Sequence, residues 1–299
     1  MPHTAESAGK VLVVLLSSAA VAYILISVSL LFVLFENAVY GKPQRAISYL
    51  GAAAAVYPDG GLSVCRALIS AVLFILSFYF IPMGSLPSFA RLHHNILLFY
   101  ASFFSALLFS HFRSSGWNRN PFFTFLTYDG VKFLLLLTFV FLLFALFASG
   151  YGLPGELLSF ETYSAPLLFK SAGPCGKAGF VLFALLLASF APSGEKRGSA
   201  LARIAHMFEA LAYPALVTAL FVPLNIGLLL KLFGLPLFAA DLLFFWAKVF
   251  LIKEAVQPVM RFILRPSAGD PYARRHTGRT VLVFCLAALL FAYDIYRVL

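Results

Sequence analysis

Charge is what this chain has least of. Only 11% of its 299 residues are Asp, Glu, Lys or Arg, and just twelve are acidic. A soluble domain of this length needs far more charge to cover its surface, so a water-soluble globule is excluded. No hydrophilic stretch is long enough to build a soluble core, and residues 1–299 read as a single integral membrane domain. Cysteine is scarce as well. Cys65, Cys175 and Cys285 stand far apart with no CxxC pair, which leaves no disulfide framework and no thiolate metal site. Cys65 and Cys285 fall at or within apolar segments and read as small packing residues. Catalytic signatures are missing too: no paired-aspartate motif, no HExxH, no GxSxG and no glycine-rich phosphate loop. A lipid-active membrane enzyme therefore shows no active site in the sequence.

What is abundant is apolar: 62% hydrophobic residues, 34 of them phenylalanine. Val11–Phe35 runs for twenty-five residues without a charge, and comparable runs recur to the C-terminus. A span needs about 20 apolar residues to cross a roughly 30 Å hydrocarbon layer. By that measure the chain is an all-α polytopic membrane protein with eight spans, near 11–35, 63–81, 95–112, 131–149, 178–192, 208–232, 236–260 and 280–297. Lys10 followed by Ala20-Val21-Ala22 has the outline of a cleaved signal. The apolar run continues well past it, so an uncleaved first span is expected. Ala46–Val56 is helix-prone and weakly amphipathic, and Pro58-Asp59-Gly60-Gly61 ends it with turn residues. An interfacial amphipathic helix along the inner membrane face is the expectation there.

The net charge of +10 would suggest nucleic acid in a soluble protein, but here its distribution decides the matter. With eight spans, fourteen Lys and Arg residues gather on one side, among them Arg45, Arg119, Arg197, Arg265, Arg274 and Arg275, against six on the other. The basic side is expected to be cytoplasmic, with both termini outside and lipid headgroups, not nucleic acid, as counter-charges.

Ionisable residues inside spans are costly and mark function. The stretch LPLFAADLLFFWAKVFLIKEAVQPVMRFILRP holds most of them. Its thirty residues from Pro236 to Arg265 extend roughly 45 Å, longer than the membrane is thick, and Gln257-Pro258 is where an irregularity is cheapest. Asp241 and Lys248 lie seven apart and share a face, with Lys248 near mid-membrane. A lysine there costs about 3 kcal/mol unless it faces protein or water. Lys253 and Glu254 follow toward the cytoplasmic end, where Lys253 can snorkel. Acid and base in a row along one helix is what a proton relay requires. The preceding span opens with His206, Glu209 and Tyr213 on one face and carries Pro214 and Pro223-Leu224-Asn225. Its prolines free backbone carbonyls that Asn225 or a water would serve. Glu209, Tyr213, Asp241, Lys248 and Glu254 are thus the candidate relay. Asp294 reads as an outer-face residue near the membrane surface.

The order of these features resembles a family. Gly116-Trp117-Asn118-Arg119-Asn120 is similar to a GW-x-S-x-x-K stretch. Glu209-Ala210-Leu211-Ala212-Tyr213 stands where an acidic EYSG-like entry is found. Trp246-Ala247-Lys248-Val249-Phe250, with Arg261, Arg265-Pro266 and Arg274-Arg275, resembles an FxK…R…PRxR segment. These are features of the H-type membrane subunit of respiratory complex I, shared by energy-converting membrane-bound nickel–iron hydrogenases and formate hydrogenlyases. In place of the family's QxRxGP string the chain has Lys42-Pro43-Gln44-Arg45, and the family's acid-rich loop is here the basic SGEKRGSALARIAHM. The resemblance implies a non-catalytic subunit of hydrogenase-like type, which couples a peripheral redox module to proton or sodium movement. It also implies hydrophilic redox subunits and other ion-translocating membrane subunits as partners. Iron–sulfur clusters and a nickel–iron centre would belong to those partners, with no cofactor bound by this chain. The basic residues named above would dock the peripheral module. A stand-alone secondary transporter, with its site at the broken helix and at Asp241–Lys248, is the competing expectation; the repeat symmetry usual in that class is not visible.

Overall fold

The computed structural model describes residues 21, 23–28, 31, 61–83, 95–111, 129–152, 159–160, 170–190, 200–222, 224–226, 230, 235–264 and 275–297. Among the described residues 88% are helical and none is in a strand. Residues 23–28 are helical, within the expected first span. The further elements are α1 (Gly61–Tyr79), α2 (Ile96–His111), α3 (Asp129–Gly150), α4 (Pro174–Ala188) and α5 (Ala200–Phe221). Then come α6 (Leu235–Leu251), a π-helical turn (Ile252–Val256), α7 (Gln257–Leu264) and α8 (Arg275–Tyr296). Among the described residues, Gly130–Gly150, Ile204–Phe221 and Arg279–Tyr296 are each long and apolar enough to cross a membrane. The shorter apolar helices Cys65–Tyr79, Ile96–Ser110 and Pro174–Ala188 accompany them. The chain is therefore a helical membrane protein. The expected interfacial helix at 46–56 lies outside the described residues.

The chain divides into two compact units, one of Met1–Ile81, Pro87–Pro121 and Ser193–Ala212, the other of Pro82–Leu86, Phe122–Pro192 and Tyr213–Leu299. In the first unit α1 packs along α2. Asn95 caps α2, its Oδ1 accepting the N–H of Leu97 at 2.8 Å and of Leu98 at 3.3 Å, which satisfies donors that the helix start leaves open. Phe74 and Phe103 meet edge to face across the pair with centroids 5.6 Å apart. The buried Ser70 hydroxyl donates to the Ala106 carbonyl at 2.9 Å, a polar tie between two apolar helices.

In the second unit the phenylalanines explain themselves. Phe144 of α3 is wholly buried and lies 5.4 Å from Phe180, 6.3 Å from Phe183, 6.0 Å from Phe221 and 5.4 Å from Phe291, centroid to centroid. Its rings thus join α3 to α4, α5 and α8. Hydrocarbon offers a buried side chain no hydrophobic gain over lipid, so close packing of large rings is what holds such helices together. The tightest approach is α4 against α8. A Cβ at Gly179 would stand 2.8 Å from the Ala287 carbonyl oxygen, so glycine there lets the two backbones come together.

Two boundaries differ from the sequence-based expectation. α5 spans Ala200–Phe221, where 208–232 was expected. Half of the basic segment SGEKRGSALARIAHM is thus the first turns of a helix, which Ala, Leu and Arg favour. The helix stops early because Pro223 in the sequence has no N–H to return to the preceding turn. The irregularity expected at Gln257-Pro258 is the π turn itself. The N–H of Gln257 bonds Ile252 O, one residue further back than in an α-helix. Widening the helix there spares the Pro258 ring its clash with the Glu254 carbonyl.

Candidate functional site

Lys248 sits at the end of a broken helix. Its Nζ donates to the carbonyl oxygens of Val222 and Leu224, each at 2.7 Å. The face of Phe244 lies 4.9 Å from the same nitrogen. The local reason is two prolines. Pro214 stands inside α5, where its missing N–H is followed by a Thr218 hydroxyl that donates to the Pro214 carbonyl at 2.8 Å. After Phe221 the Val222 N–H still bonds Thr218 O at 2.9 Å. The negative end of the helix dipole points at this break, so a cation is well placed there. The Val222 and Leu224 carbonyls lie just past the last residue of α5, where a helix end leaves carbonyls without intrahelical donors, and the lysine meets both. Backbone acceptors have no residue signature, and nothing in the sequence pairs Lys248 with Val222.

The other candidates on this helix lie close along it. Asp241, two turns before Lys248, is 2% exposed. In the π turn, Lys253 Nζ and Glu254 Oε1 lie 3.4 Å apart, both partly buried. Neighbouring residues of an α-helix diverge by about 100°, so this pair relies on long side chains and the widened turn. Gln257 opens α7 with its side chain buried and its Nε2 without a hydrogen-bond partner. A π turn that carries an ion pair and a buried amide is a frequent mark of a functional segment.

α5 carries a second polar group. Glu209 is fully buried, and its Oε2 lies 3.3 Å from His206 Nδ1, one turn earlier and also buried. His206, which the sequence placed on the Glu209 face, is thus its direct neighbour. Tyr213, one turn further on, is buried with its ring 4.4 Å from that of Phe133. Glu209 belongs to the first compact unit and Tyr213, Asp241, Lys248 and Glu254 to the second.

Of the expected docking residues, Arg45, Arg119, Arg197, Arg265 and Arg274 lie outside the described residues, and Arg275 is described only as the first residue of α8. One expectation is overturned. Cys65 and Cys285 are exposed on their helices, not packed. An apolar residue in a membrane helix need not face protein, because lipid covers it equally well.

Asp294, expected near the outer membrane surface, is packed against its neighbours. It is 3% exposed, and its Oδ2 accepts the N–H of Gly173 at 2.7 Å. Tyr151, just beyond α3, directs its hydroxyl to the same oxygen at 3.5 Å. A Cβ at Gly173 would overlap Asp294 Oδ1, and one at Gly176 would stand 2.5 Å from Oδ2, so glycines open the space the carboxylate fills. Burial, reinforced by the Asp294 carboxylate, raises the Tyr151 phenol above its usual 10. Gly173, Gly176 and Gly179 at intervals of three were the available signal, since small residues so spaced mark a close helix contact. Among the described residues no group of three His, Cys, Asp or Glu could hold a metal ion. No family model matches the chain, and no curated protein sequence matches it.

Proposed function

We propose that this chain is a membrane subunit of a redox-driven ion-translocating complex, related to the H-type subunits of complex I and of energy-converting nickel–iron hydrogenases. The observation that carries the reading is the polar row along Leu235–Leu264: buried Asp241, Lys248, the Lys253–Glu254 pair and buried Gln257 in one helical stretch. Each ionisable group so placed must hold or pass charge, because placing it in hydrocarbon is otherwise unfavourable. In this reading Glu209, Tyr213, Asp241, Lys248 and Glu254 form the relay, and Arg45, Arg119, Arg197, Arg265, Arg274 and Arg275 dock the peripheral module. Iron–sulfur clusters and a nickel–iron centre reside in the hydrophilic partners, while this chain binds no redox cofactor. The chain then lies in a bacterial or archaeal cytoplasmic membrane with both termini outside, as the Lys and Arg distribution suggests.

The test is affinity purification in mild detergent with the companions identified by mass spectrometry. Iron–sulfur and hydrogenase-like or complex I-like subunits are the expected result. A lone protein or a homo-oligomer would overturn the reading and put a secondary transporter in its place. One observation favours that second reading: Lys248 occupies the end of a discontinuous helix, and broken helices form substrate and ion sites in transporters.

A further inference from the structure

The ligand set around Lys248 Nζ belongs to a small cation in general. An ammonium has three donors. Two of them meet the Val222 and Leu224 carbonyl oxygens at 2.7 Å each, and the Phe244 ring stands 4.9 Å away. Main-chain carbonyls that replace a hydration shell are how membrane proteins bind alkali ions, and the C-terminal ends of half-helices are where they do so. The two oxygens carry no formal charge. Asp241 stands two turns earlier on the same helix and is 2% exposed, and neutral carbonyl ligands suit a monovalent ion better than a divalent one. Leu224 is 60% exposed, and its bond to Lys248 lies at the protein surface.

We propose that the Val222 and Leu224 carbonyls form a station for a monovalent cation, Na+ or K+, at which the Lys248 ammonium is a tethered stand-in. The lysine stem has four rotatable carbons, so the ammonium can leave the oxygens without any movement of α5 or α6. A mobile cation then takes the same carbonyls, and the returning ammonium displaces it by direct competition for two acceptors. No covalent bond is made or broken in this exchange. The inference rests on the reading that Lys248 lies on an ion path, and it adds what that path carries at this point.

Lys248→Ala in the full chain, purified into detergent, tests it with thermal unfolding in choline, sodium, potassium or methylammonium chloride at equal ionic strength. Removal of the tethered cation leaves the station to free ones. The variant is expected to melt lowest in choline, which is too bulky for the site. Its melting temperature should rise with the logarithm of sodium, potassium or methylammonium concentration once the station begins to fill. The unaltered protein, with its station held by Lys248, should show no such rise. A variant that melts identically in all four salts would overturn the station. Where the variant does not fold in choline, the folded yield after extraction into each salt is read instead. Recovery in sodium, potassium or methylammonium but not in choline supports the proposal, and equal loss in all four overturns it. Failure of the station leaves co-purification with redox subunits unaffected, so the two readings fail separately.

Discussion

The carboxylate of Asp294, in the last turn of α8, accepts the backbone N–H of Gly173 at 2.7 Å, so the end of one helix caps the start of another. Gly173 has no side chain to cap α4 itself, and Pro174 contributes no donor. A buried carboxylate beside the positive end of a helix dipole is stabilised there by up to about 2 kcal/mol.

Asp294→Ala removes the acceptor and leaves a part-buried N–H unmet, with an expected loss of about 1–2 kcal/mol. Asp294→Asn keeps an oxygen of the same shape but not the charge, and about 1 kcal/mol is expected to go. Thermal unfolding in detergent or nanodiscs ranks the three proteins. Equal melting for Asn and Ala would show that the carboxylate's hydrogen bond contributes nothing.

The close contact of α4 with α8 yields a second expectation. A Cβ at Gly179 meets the Ala287 carbonyl oxygen at 2.8 Å and the Phe291 backbone nitrogen at 3.3 Å. Backbone cannot swing aside as a side chain can, so the helices must separate. Gly179→Ala should cost about 1–3 kcal/mol, as overpacking does, in spite of alanine's better helix propensity. Gly152→Ala makes the contrast: no neighbour lies within 4 Å there, and its φ of 59° gives a purely local strain. A stabilised Gly179→Ala protein would show that the two helices are not held at this distance.

How much of this was legible depends on which partner a residue uses. α3 is Asp129–Gly150 where 131–149 was expected, because an uninterrupted apolar run between polar loops leaves little choice. Lys248 stood out for its depth in an apolar helix, but its acceptors are backbone carbonyls near Pro223, and main chain reads the same at every position. The burial of Asp294 was not legible, because distance from the nearest loop says nothing about it. The three glycines opposite it held the information, and only their spacing could reveal it. The exposed faces of Cys65 and Cys285 were illegible for another reason. When all sides of a helix are apolar, periodicity does not separate lipid from protein.

Tyr151 gives a pH dependence. Its phenol is raised above 10, chiefly by burial and then by the Asp294 carboxylate, so the folded protein holds this proton more tightly than the unfolded chain does. The resulting stability is fully present below about pH 10, the unfolded value, and is lost as pH rises through the folded value. The phenolate then faces the Asp294 oxygen that the hydroxyl had faced at 3.5 Å. At neutral pH that long bond contributes little, so Tyr151→Phe should melt within about 1 kcal/mol of the parent. Above pH 10 the parent should fall faster than Tyr151→Phe. Parallel alkaline curves would show that Tyr151 does not titrate differently on folding.

Cys285 tests the membrane placement of α8. The residue is exposed on its helix, and only 17% of the Arg279–Tyr296 window is buried within the chain. In water such a thiol would react at once with a maleimide. In hydrocarbon it is out of reach of a charged reagent, because a charged group enters the bilayer core only at high cost. A variant that keeps Cys285 alone, with Cys65 and Cys175 changed to serine, should label slowly with a charged maleimide in nanodiscs. Denaturation in detergent should bring labelling to completion. Fast labelling before denaturation would place this face of α8 in water. A partner subunit over the same face would also slow the reaction, but an apolar, membrane-soluble maleimide separates the cases. It reaches a lipid-facing thiol quickly and a protein-covered one slowly, so the isolated chain should label fast with it and the assembled complex should show which face its neighbours occupy.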